Sequence, residues 1–174
     1  MDWVGISVAV GTWAVAGFTW WLVKGQLSIA KEQRKIQLYL ELRKEFDGSL
    51  VRERQLLARQ LLNSTPHDEI NETVLNFFED MGMLLRRDFL DREMIWDTFS
   101  YYARMWWSAC RDYIAQERED VGGDKTLFTD FDYLVNSIAE DDAKKHGKSR
   151  TELEPSTSTI KDFLETEARL VSGA

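Results

Sequence analysis

The chain begins with a run of residues, at positions 4–23, that contains no charged side chain. A helix of this length spans about 30 Å, which is the thickness of the hydrocarbon core of a bilayer. Trp3 lies at one end of the run and Trp20 and Trp21 at the other, as in the aromatic belts of membrane proteins. The run predicts a transmembrane helix. The alternative is a cleaved signal peptide, but no positively charged region precedes the apolar segment.

After the predicted span, apolar residues recur at helical spacing, and no segment alternates between polar and apolar residues as a strand does. The pattern predicts an all-α protein with one N-terminal transmembrane helix and a cytoplasmic bundle of about four to five helices. Gly25 follows the span, and helix is expected to resume after it. The predicted helices cover residues 26–46, 49–62, 69–86, 92–119 and a segment from 129 onward.

These segments divide the chain into three parts: an anchor at residues 1–24, a helical bundle domain at 25–144, and a linker with a short amphipathic helix at 145–174. The last helix is expected to dock on the bundle, to bind a partner or to stay loose. Ser49, Asp91 and the pair Thr129-x-x-Asp132 are candidate caps at helix starts.

The helix predicted at residues 92–119 carries two adjacent apolar stripes rather than one. A helix that is apolar over so wide an arc usually packs against more than one neighbour. We therefore expect it to lie at the centre of the bundle. The stripes consist of Ile95, Phe99, Tyr102, Trp106, Ala109 and Tyr113, and of Trp96, Ala103, Trp107, Cys110 and Ile114.

Charge gives the predicted orientation of the span. Only Met1 and Asp2 precede the tryptophan at its first end, whereas four basic residues follow the second end closely. The positive-inside rule then places the N-terminus outside and the C-terminal domain in the cytoplasm, and the basic side chains can hold anionic lipid headgroups. The basic residues are Lys24, Lys31, Arg34 and Lys35.

The rest of the chain is acidic, since the whole protein has a net charge of −8 although residues 24–44 are basic. General binding to nucleic acid needs a basic face that neutralises phosphates, so no nucleic-acid partner is expected.

Small residues on one face of the span suggest self-association. Such residues allow two transmembrane helices to approach closely and form a homo-oligomer. The alternative is that glycine and alanine are simply common in transmembrane helices. The face consists of Gly5, Ala9, Trp13 and Gly17.

Two acidic and two basic residues form a further candidate cluster within the helix predicted at 69–86. Glu79 and Asp80 lie about two turns before Arg86 and Arg87, on the polar side of the helix. Their simplest interpretation is a solvated face. If a second element covered that side, Glu79 or Arg86 would be drawn inside, and Gly82 beside them would allow a close helix approach.

Metal-binding and catalytic chemistry have few candidate residues. The two histidines, His67 and His146, lie in predicted loops, and the chain has neither a Glu-x-x-His nor a His-Glu-x-x-His motif. The acidic run at residues 140–142 could hold a divalent cation, although such runs are usually solvated. Cys110 lies on an apolar stripe and is expected to be a buried small hydrophobe. We therefore predict no cofactor, no metal and no catalytic residue.

Several segments together resemble a family of uncharacterised bacterial proteins that is described only as a domain of unknown function. They are "LYLELRKEF" at 38–46, "VLNFFEDMGMLLRRDFLD" at 74–91 and "YYARMWWSACRDYI" at 101–114, behind a single N-terminal span. The resemblance covers roughly residues 1–140 and implies a small all-helical protein of the bacterial inner membrane. It implies no activity and assigns no site residue.

The favoured function is that of a non-enzymatic adaptor, scaffold or regulatory subunit, anchored in the bilayer, whose cytoplasmic surface binds an unknown protein partner. One alternative is a membrane effector or toxin of a bacterial defence system that self-assembles through its span. A further alternative is an unrecognised helical enzyme, which would gather the cluster of acids and arginines with Arg104 or Arg111 in one pocket.

Overall fold

The computed structural model describes residues 3–120, 122, 126–147 and 154–170, without the side chains of residues 3–19, 21–23 and 146. The residues fall into two compact units, the first ending at Gln37 and the second beginning at Leu38. Within the described ranges all regular structure is helical and no strand occurs, as the all-α prediction requires. The helices are α1 (Trp3–Asp47), α2 (Val51–Leu62), α3 (Thr73–Arg86), α4 (Arg92–Ala109), α5 (Arg111–Asp120), α6 (Thr129–His146) and α7 (Thr157–Glu167), with a 3-10 turn at His67–Glu69.

The first unit contains α1 up to Gln37. Helix α1 runs through Gly25 without interruption, so the expected break at that glycine is wrong. A Cβ atom at Gly25 would have no neighbour within 4 Å, and nothing packed there forces the helix to end. Among the residues whose side chains are described, no helix is long and apolar enough to cross a membrane.

Most side chains of the predicted span, which covers residues 4–23, lie outside the described residues. The side chains of Trp3 and Trp21, and those of the small-residue face at Gly5, Ala9, Trp13 and Gly17, lie outside the described residues. Trp20 is described and exposed, and the Lys24 Nζ lies 5.1 Å from the centroid of its ring. Lys31 and Arg34 are exposed and Lys35 is half-buried, so this basic stem largely faces solvent.

The second unit is built around one aromatic core. Phe46 at the end of α1 lies against Phe77 and Phe78 of α3 and Phe99 of α4, with ring centroids 5.4–6.1 Å apart. Phe131 of α6 stacks on Phe78, at 5.0 Å between centroids and 12° between planes. Each such ring buries about 150–250 Å², so these contacts supply much of the hydrophobic stabilisation. They bring α1, α3, α4 and α6 to a common centre.

The central helix is confirmed, but its predicted length is wrong. Ile95, Phe99, Trp106 and Cys110 are all buried, as the two apolar stripes required. The helix predicted at 92–119 is divided at Cys110, whose φ of −102° and ψ of 7° depart from helical values. The Ile114 N–H still donates to the Cys110 carbonyl oxygen at 2.9 Å, so hydrogen bonding continues across the junction between α4 and α5. Periodicity alone could not reveal this break, because the apolar stripes run through it.

One of the three candidate N-caps, Asp91, is confirmed, and the other two are not. The Asp91 carboxylate accepts from the Glu93 and Met94 N–H groups at 3.0 Å, which confirms it as the N-cap of α4. The Ser49 prediction is wrong, because Leu50 precedes α2 and provides no side-chain cap. Before α6, Phe128 has a left-handed φ of 53° and the Thr129 hydroxyl donates backwards to the Thr126 carbonyl, so the expected capping box does not form.

The start of α3 also differs from the prediction. The expected helix at 69–86 begins at Thr73, because residues 67–69 form a separate 3-10 turn. The Asn71 side-chain oxygen accepts from the Thr73 N–H at 2.9 Å, which closes a turn immediately before the helix.

Candidate functional site

Helices α3 and α6 approach each other most closely at Gly82. A Cβ atom at this position would lie 1.9 Å from the Asp130 carbonyl oxygen and 3.2 Å from the Phe131 backbone nitrogen. Only a glycine leaves room for the backbone of α6 there. The close approach that the sequence suggested at Gly82 is confirmed, and it covers the polar side of α3 next to Glu79 and Arg86.

Glu79 provides the cap that α6 lacks from its own sequence. Its Oε1 accepts from the Asp130 N–H at 3.1 Å, and its Oε2 accepts from the Phe131 N–H at 2.6 Å. The first N–H groups of a helix have no partner within the helix, and a negative charge there is favourable. The half-buried Glu79 carboxylate therefore joins two helices that are distant in sequence.

The four members of the acid and arginine cluster differ in what they contact. Arg86 is exposed, and its Nη2 lies 2.6 Å from Asp130 Oδ1 in an ion pair. Asp80 and Arg87 are exposed. The cluster is thus not gathered into one pocket: Glu79 and Arg86 each contact the start of α6, and the other two side chains face solvent.

The acidic run at residues 140–142 is divided among basic and polar partners from α4. The Arg92 Nε donates to Asp141 at 2.6 Å, and its Nη2 donates to Glu140 at 3.0 Å. The buried Asp142 accepts from the Trp96 Nε1 at 2.9 Å and from the Arg104 Nη1 at 3.0 Å. These carboxylates hold α6 against α4. Among the described residues, no group of three or more metal-ligating side chains is arranged to hold a metal ion.

A buried ion pair that was not predicted from the sequence joins α2 and α7. The Arg54 Nε and Nη2 donate to the two carboxylate oxygens of Glu167, each at 2.7 Å, and both side chains are about 95% buried. The Arg54 Nη1 donates to the Phe46 carbonyl oxygen at 3.1 Å, and its guanidinium lies 4.0 Å from the centroid of the Phe46 ring. Paired hydrogen bonds of this kind are among the strongest that proteins form.

The ion pair belongs to an interface that attaches α7 to the bundle. Phe163 is buried against Trp106 and Tyr101 of α4, with ring centroids 5.1 and 5.9 Å apart. The exposed Arg59 of α2 holds the end of α7. Its Nε and Nη2 donate to the Ala168 carbonyl oxygen at 3.3 and 3.0 Å. Of the three expectations for the last helix, docking on the bundle is the one that the structure shows.

A signal for this pair is present in the sequence. On a helical wheel, Arg54 lies in the middle of the apolar side of α2, and Glu167 lies in the middle of the apolar side of α7. A charge in such a position is rarely buried unless it is paired. Two opposite charges, each centred on an apolar face, therefore predict a contact between their helices.

A second set of titratable side chains surrounds Tyr113 of α5. Its hydroxyl donates to Glu72 Oε1 at 2.6 Å and lies 3.3 Å from Glu117 Oε1. The His67 Nδ1 lies 3.2 Å from the same Glu117 oxygen, and the His67 and Tyr113 rings are 4.5 Å apart. Burial and the hydrogen bond to Glu72 raise the pKa of Tyr113, so its phenol stays protonated and acts as a donor.

Arg104 and Arg111 meet at a small cavity between α4 and α6. The cavity has a volume of about 30 Å³, and Trp107, Ser108 and Val135 also line it. Each arginine already has a carboxylate partner, because Arg104 donates to Asp142 and Arg111 donates to Glu154 at 3.2 Å. A space of this volume holds about one water molecule.

A family model described as "Domain of unknown function (DUF4760)" matches residues 6–138. The chain belongs to the DUF4760 family. The resemblance to a family of unknown function, expected over roughly residues 1–140, is thereby confirmed. No curated protein and no solved structure matches the chain.

The DUF4760 match ends within α6 and does not reach α7. Arg54 therefore lies inside the family region, and its buried partner Glu167 lies beyond it. The α3–α6 contact at Gly82 and Glu79 lies wholly inside the matched residues. The family region thus contains the whole α3–α6 contact at Gly82 but only the α2 side of the α2–α7 ion pair.

Proposed function

We propose that this DUF4760 protein is a single-pass, membrane-anchored helical protein that presents its cytoplasmic bundle to a protein partner, as an adaptor, scaffold or regulatory subunit. The proposal assigns it no catalytic role. The membrane setting is supported by the uncharged run at residues 4–23 and by the basic residues that follow it. Exposed lysine and arginine side chains close to a span can hold anionic lipids on the cytoplasmic side.

The observation that carries the partner-binding proposal is the distribution of charged and aromatic side chains in the bundle. The buried charges of the described residues, Arg54, Asp142 and Glu167, are all neutralised inside the fold. In contrast, Phe89 and Tyr133 are exposed, and Arg86 lies 6.0 Å from the centroid of the Tyr133 ring. Arginine and aromatic residues are enriched at the centres of protein interfaces. We use the name α3–α6 surface for Arg86 and Tyr133, which lie close together, and for Phe89, which follows Arg86 by three residues in the chain.

Site-specific photocrosslinking in membranes tests this proposal. A photoreactive amino acid is placed at Phe89 or Tyr133 of the full-length protein, and at the exposed Asp112 of α5 as a control. We expect both positions on the α3–α6 surface, but not the control, to crosslink to the same foreign protein at high yield.

Two other outcomes would contradict the proposal. Crosslinks only between copies of this chain would favour the self-assembling effector, and Gly5→Leu with Gly17→Leu would then test whether the span drives assembly. No crosslink at either aromatic position would argue against a partner on this surface.

Extraction of membranes at alkaline pH tests the anchor separately: the protein should stay in the membrane, and Val15→Arg should weaken its retention.

A further inference from the structure

The side chains that contact α7 form a socket on the rest of the bundle. Arg54 comes from α2, Tyr101 and Trp106 come from α4, and the exposed Arg59 lies at the end of α2. Without α7, Arg54 would lose the carboxylate that neutralises it, and the face of Trp106 against Phe163 would lose its cover. A buried unpaired charge is strongly unfavourable, so the socket favours an occupant that carries a carboxylate.

Helix α7 uses one face in this contact. It inserts Phe163 and Leu164, which are buried, and Ile160 and Ala168 pack beside them, partly buried. Glu167 pairs with Arg54 one turn after Phe163. The end of α7 is held through the backbone carbonyl oxygen of Ala168, which any helix could offer to Arg59. Lys161 and Asp162 are exposed. The requirement is thus a short amphipathic pattern of two apolar residues followed three positions later by an acid.

Exchange of α7 for another helix is energetically reasonable. A helix of 11 residues is marginal on its own, so α7 depends on the socket for its stability. A buried ion pair contributes little net stability because desolvation offsets the attraction. Another helix with the same pattern would make the same paired hydrogen bonds to Arg54 and would have the same desolvation penalty for its carboxylate.

We propose that the socket is a docking site for an amphipathic helix of a protein partner with this apolar-apolar-x-x-acid pattern, and that α7 is an internal competitor that occupies the site in the free protein. The proposal rests on the proposed function only in taking the occupant from a protein partner. The socket and the α3–α6 surface involve different residues, so the two sites can be tested separately. Displacement of α7 by a partner would couple binding of the partner to release of α7 from the bundle.

A synthetic peptide of residues 154–170 with a fluorescent label is the probe. Its binding is measured by fluorescence anisotropy with full-length protein in detergent, either unaltered or carrying Glu167→Gln. The substitution weakens the internal competitor and leaves Arg54 in place, so the altered protein should bind the peptide about tenfold more tightly. A peptide carrying Glu167→Lys should not bind, whereas one carrying Glu165→Lys should bind as the original does, because the ion pair of Glu165 is with the exposed Arg169 of the same segment.

Hydrogen exchange provides a second measurement that does not depend on the altered protein. Excess unlabelled peptide is added to the unaltered protein, and the amides of Thr157–Glu167 in the chain should lose protection as α7 is displaced. Equal peptide binding by both proteins, or unchanged protection of α7 at saturating peptide, would overturn the proposal. Either result would leave the crosslinking test of the α3–α6 surface unaffected.

Discussion

Two helix junctions of the second unit, α3–α6 and α2–α7, are held together by different kinds of atoms. At the α3–α6 junction, the backbone of α6 fills the space over Gly82, and Glu79 binds backbone N–H groups of Asp130 and Phe131. At the α2–α7 junction, the Arg54 and Glu167 side chains pair with each other, and Phe163 of α7 packs beside them against Trp106 of α4. A backbone contact at a glycine requires one specific close fit, whereas a side-chain pair can be supplied by any helix with the same pattern. The comparison explains why we regard α6 as a fixed part of the bundle and α7 as replaceable.

The largest effect is expected at the buried ion pair. Arg54→Met should lower the free energy of unfolding by about 3–5 kcal/mol, because the Glu167 carboxylate is then buried without its partner. The double substitution Arg54→Met with Glu167→Leu should recover most of that loss, because no unpaired charge remains. Urea denaturation, followed by the fluorescence of buried tryptophan, gives the values. Strict additivity of the two single substitutions would contradict the assignment.

A matched control for the buried ion pair is the exposed pair of Glu165 and Arg169 around the end of α7. Arg169 pairs with Glu165 at an exposed position, so Arg169→Met should change the free energy of unfolding by less than about 0.5 kcal/mol.

The next largest effect is expected at the close approach of α3 and α6. Gly82→Ala should lower the free energy of unfolding by about 2–3 kcal/mol, because the new methyl group cannot coexist with the Asp130 carbonyl oxygen unless the helices separate. Gly25→Ala is the control, since it also replaces a glycine inside a helix but meets no neighbour. The control should be neutral or stabilising, by up to about 1 kcal/mol. Similar denaturation midpoints for the two variants would show that the junction is looser than the structure indicates.

A smaller effect is expected for the cap that Glu79 provides. Glu79→Gln should lower the free energy of unfolding by about 1 kcal/mol, because a neutral amide is a weaker partner for the first N–H groups of α6. Asp80→Asn, next to it but exposed, should change stability by less than about 0.5 kcal/mol. Hydrogen exchange should become faster at the Asp130 and Phe131 amides in the first variant only. Unchanged exchange there would rule out the capping role.

The smallest effect is expected at Cys110. This buried residue lies between α4 and α5, away from the α3–α6 and α2–α7 junctions. Burial raises the pKa of its thiol from 9.0 to about 12, so the folded state holds this proton more tightly than the unfolded state. The thiol therefore contributes stability that is fully present below pH 9 and is lost as the pH rises towards 12. Between pH 8 and pH 10 the unaltered protein should lose about 1 kcal/mol more than Cys110→Ala does. Parallel pH profiles would mean that the thiol is accessible to solvent.

The side chains of α3 that contact α6 could be predicted from the sequence of α3 alone. Glu79 and Arg86 were placed nearest the flank of α3 that Gly82 leaves open, and both contact α6. Their partners could not be predicted, because these are backbone groups and a side chain at the start of a helix about 50 residues away. The same limit applies to Asp142, whose partners Trp96 and Arg104 lie on α4.

The sequence by itself determined the helical class, the centre of the bundle at α4, the Asp91 cap and the membership of the DUF4760 family. These features depend on periodicity and on interactions between residues close in sequence. Only the tertiary structure decided that α7 docks on the bundle, that Arg54 pairs with Glu167 and that Cys110 ends α4. Such outcomes depend on which surfaces meet after the chain folds back on itself. A helical pattern shows which face of a helix is buried, but it does not show what that face will contact.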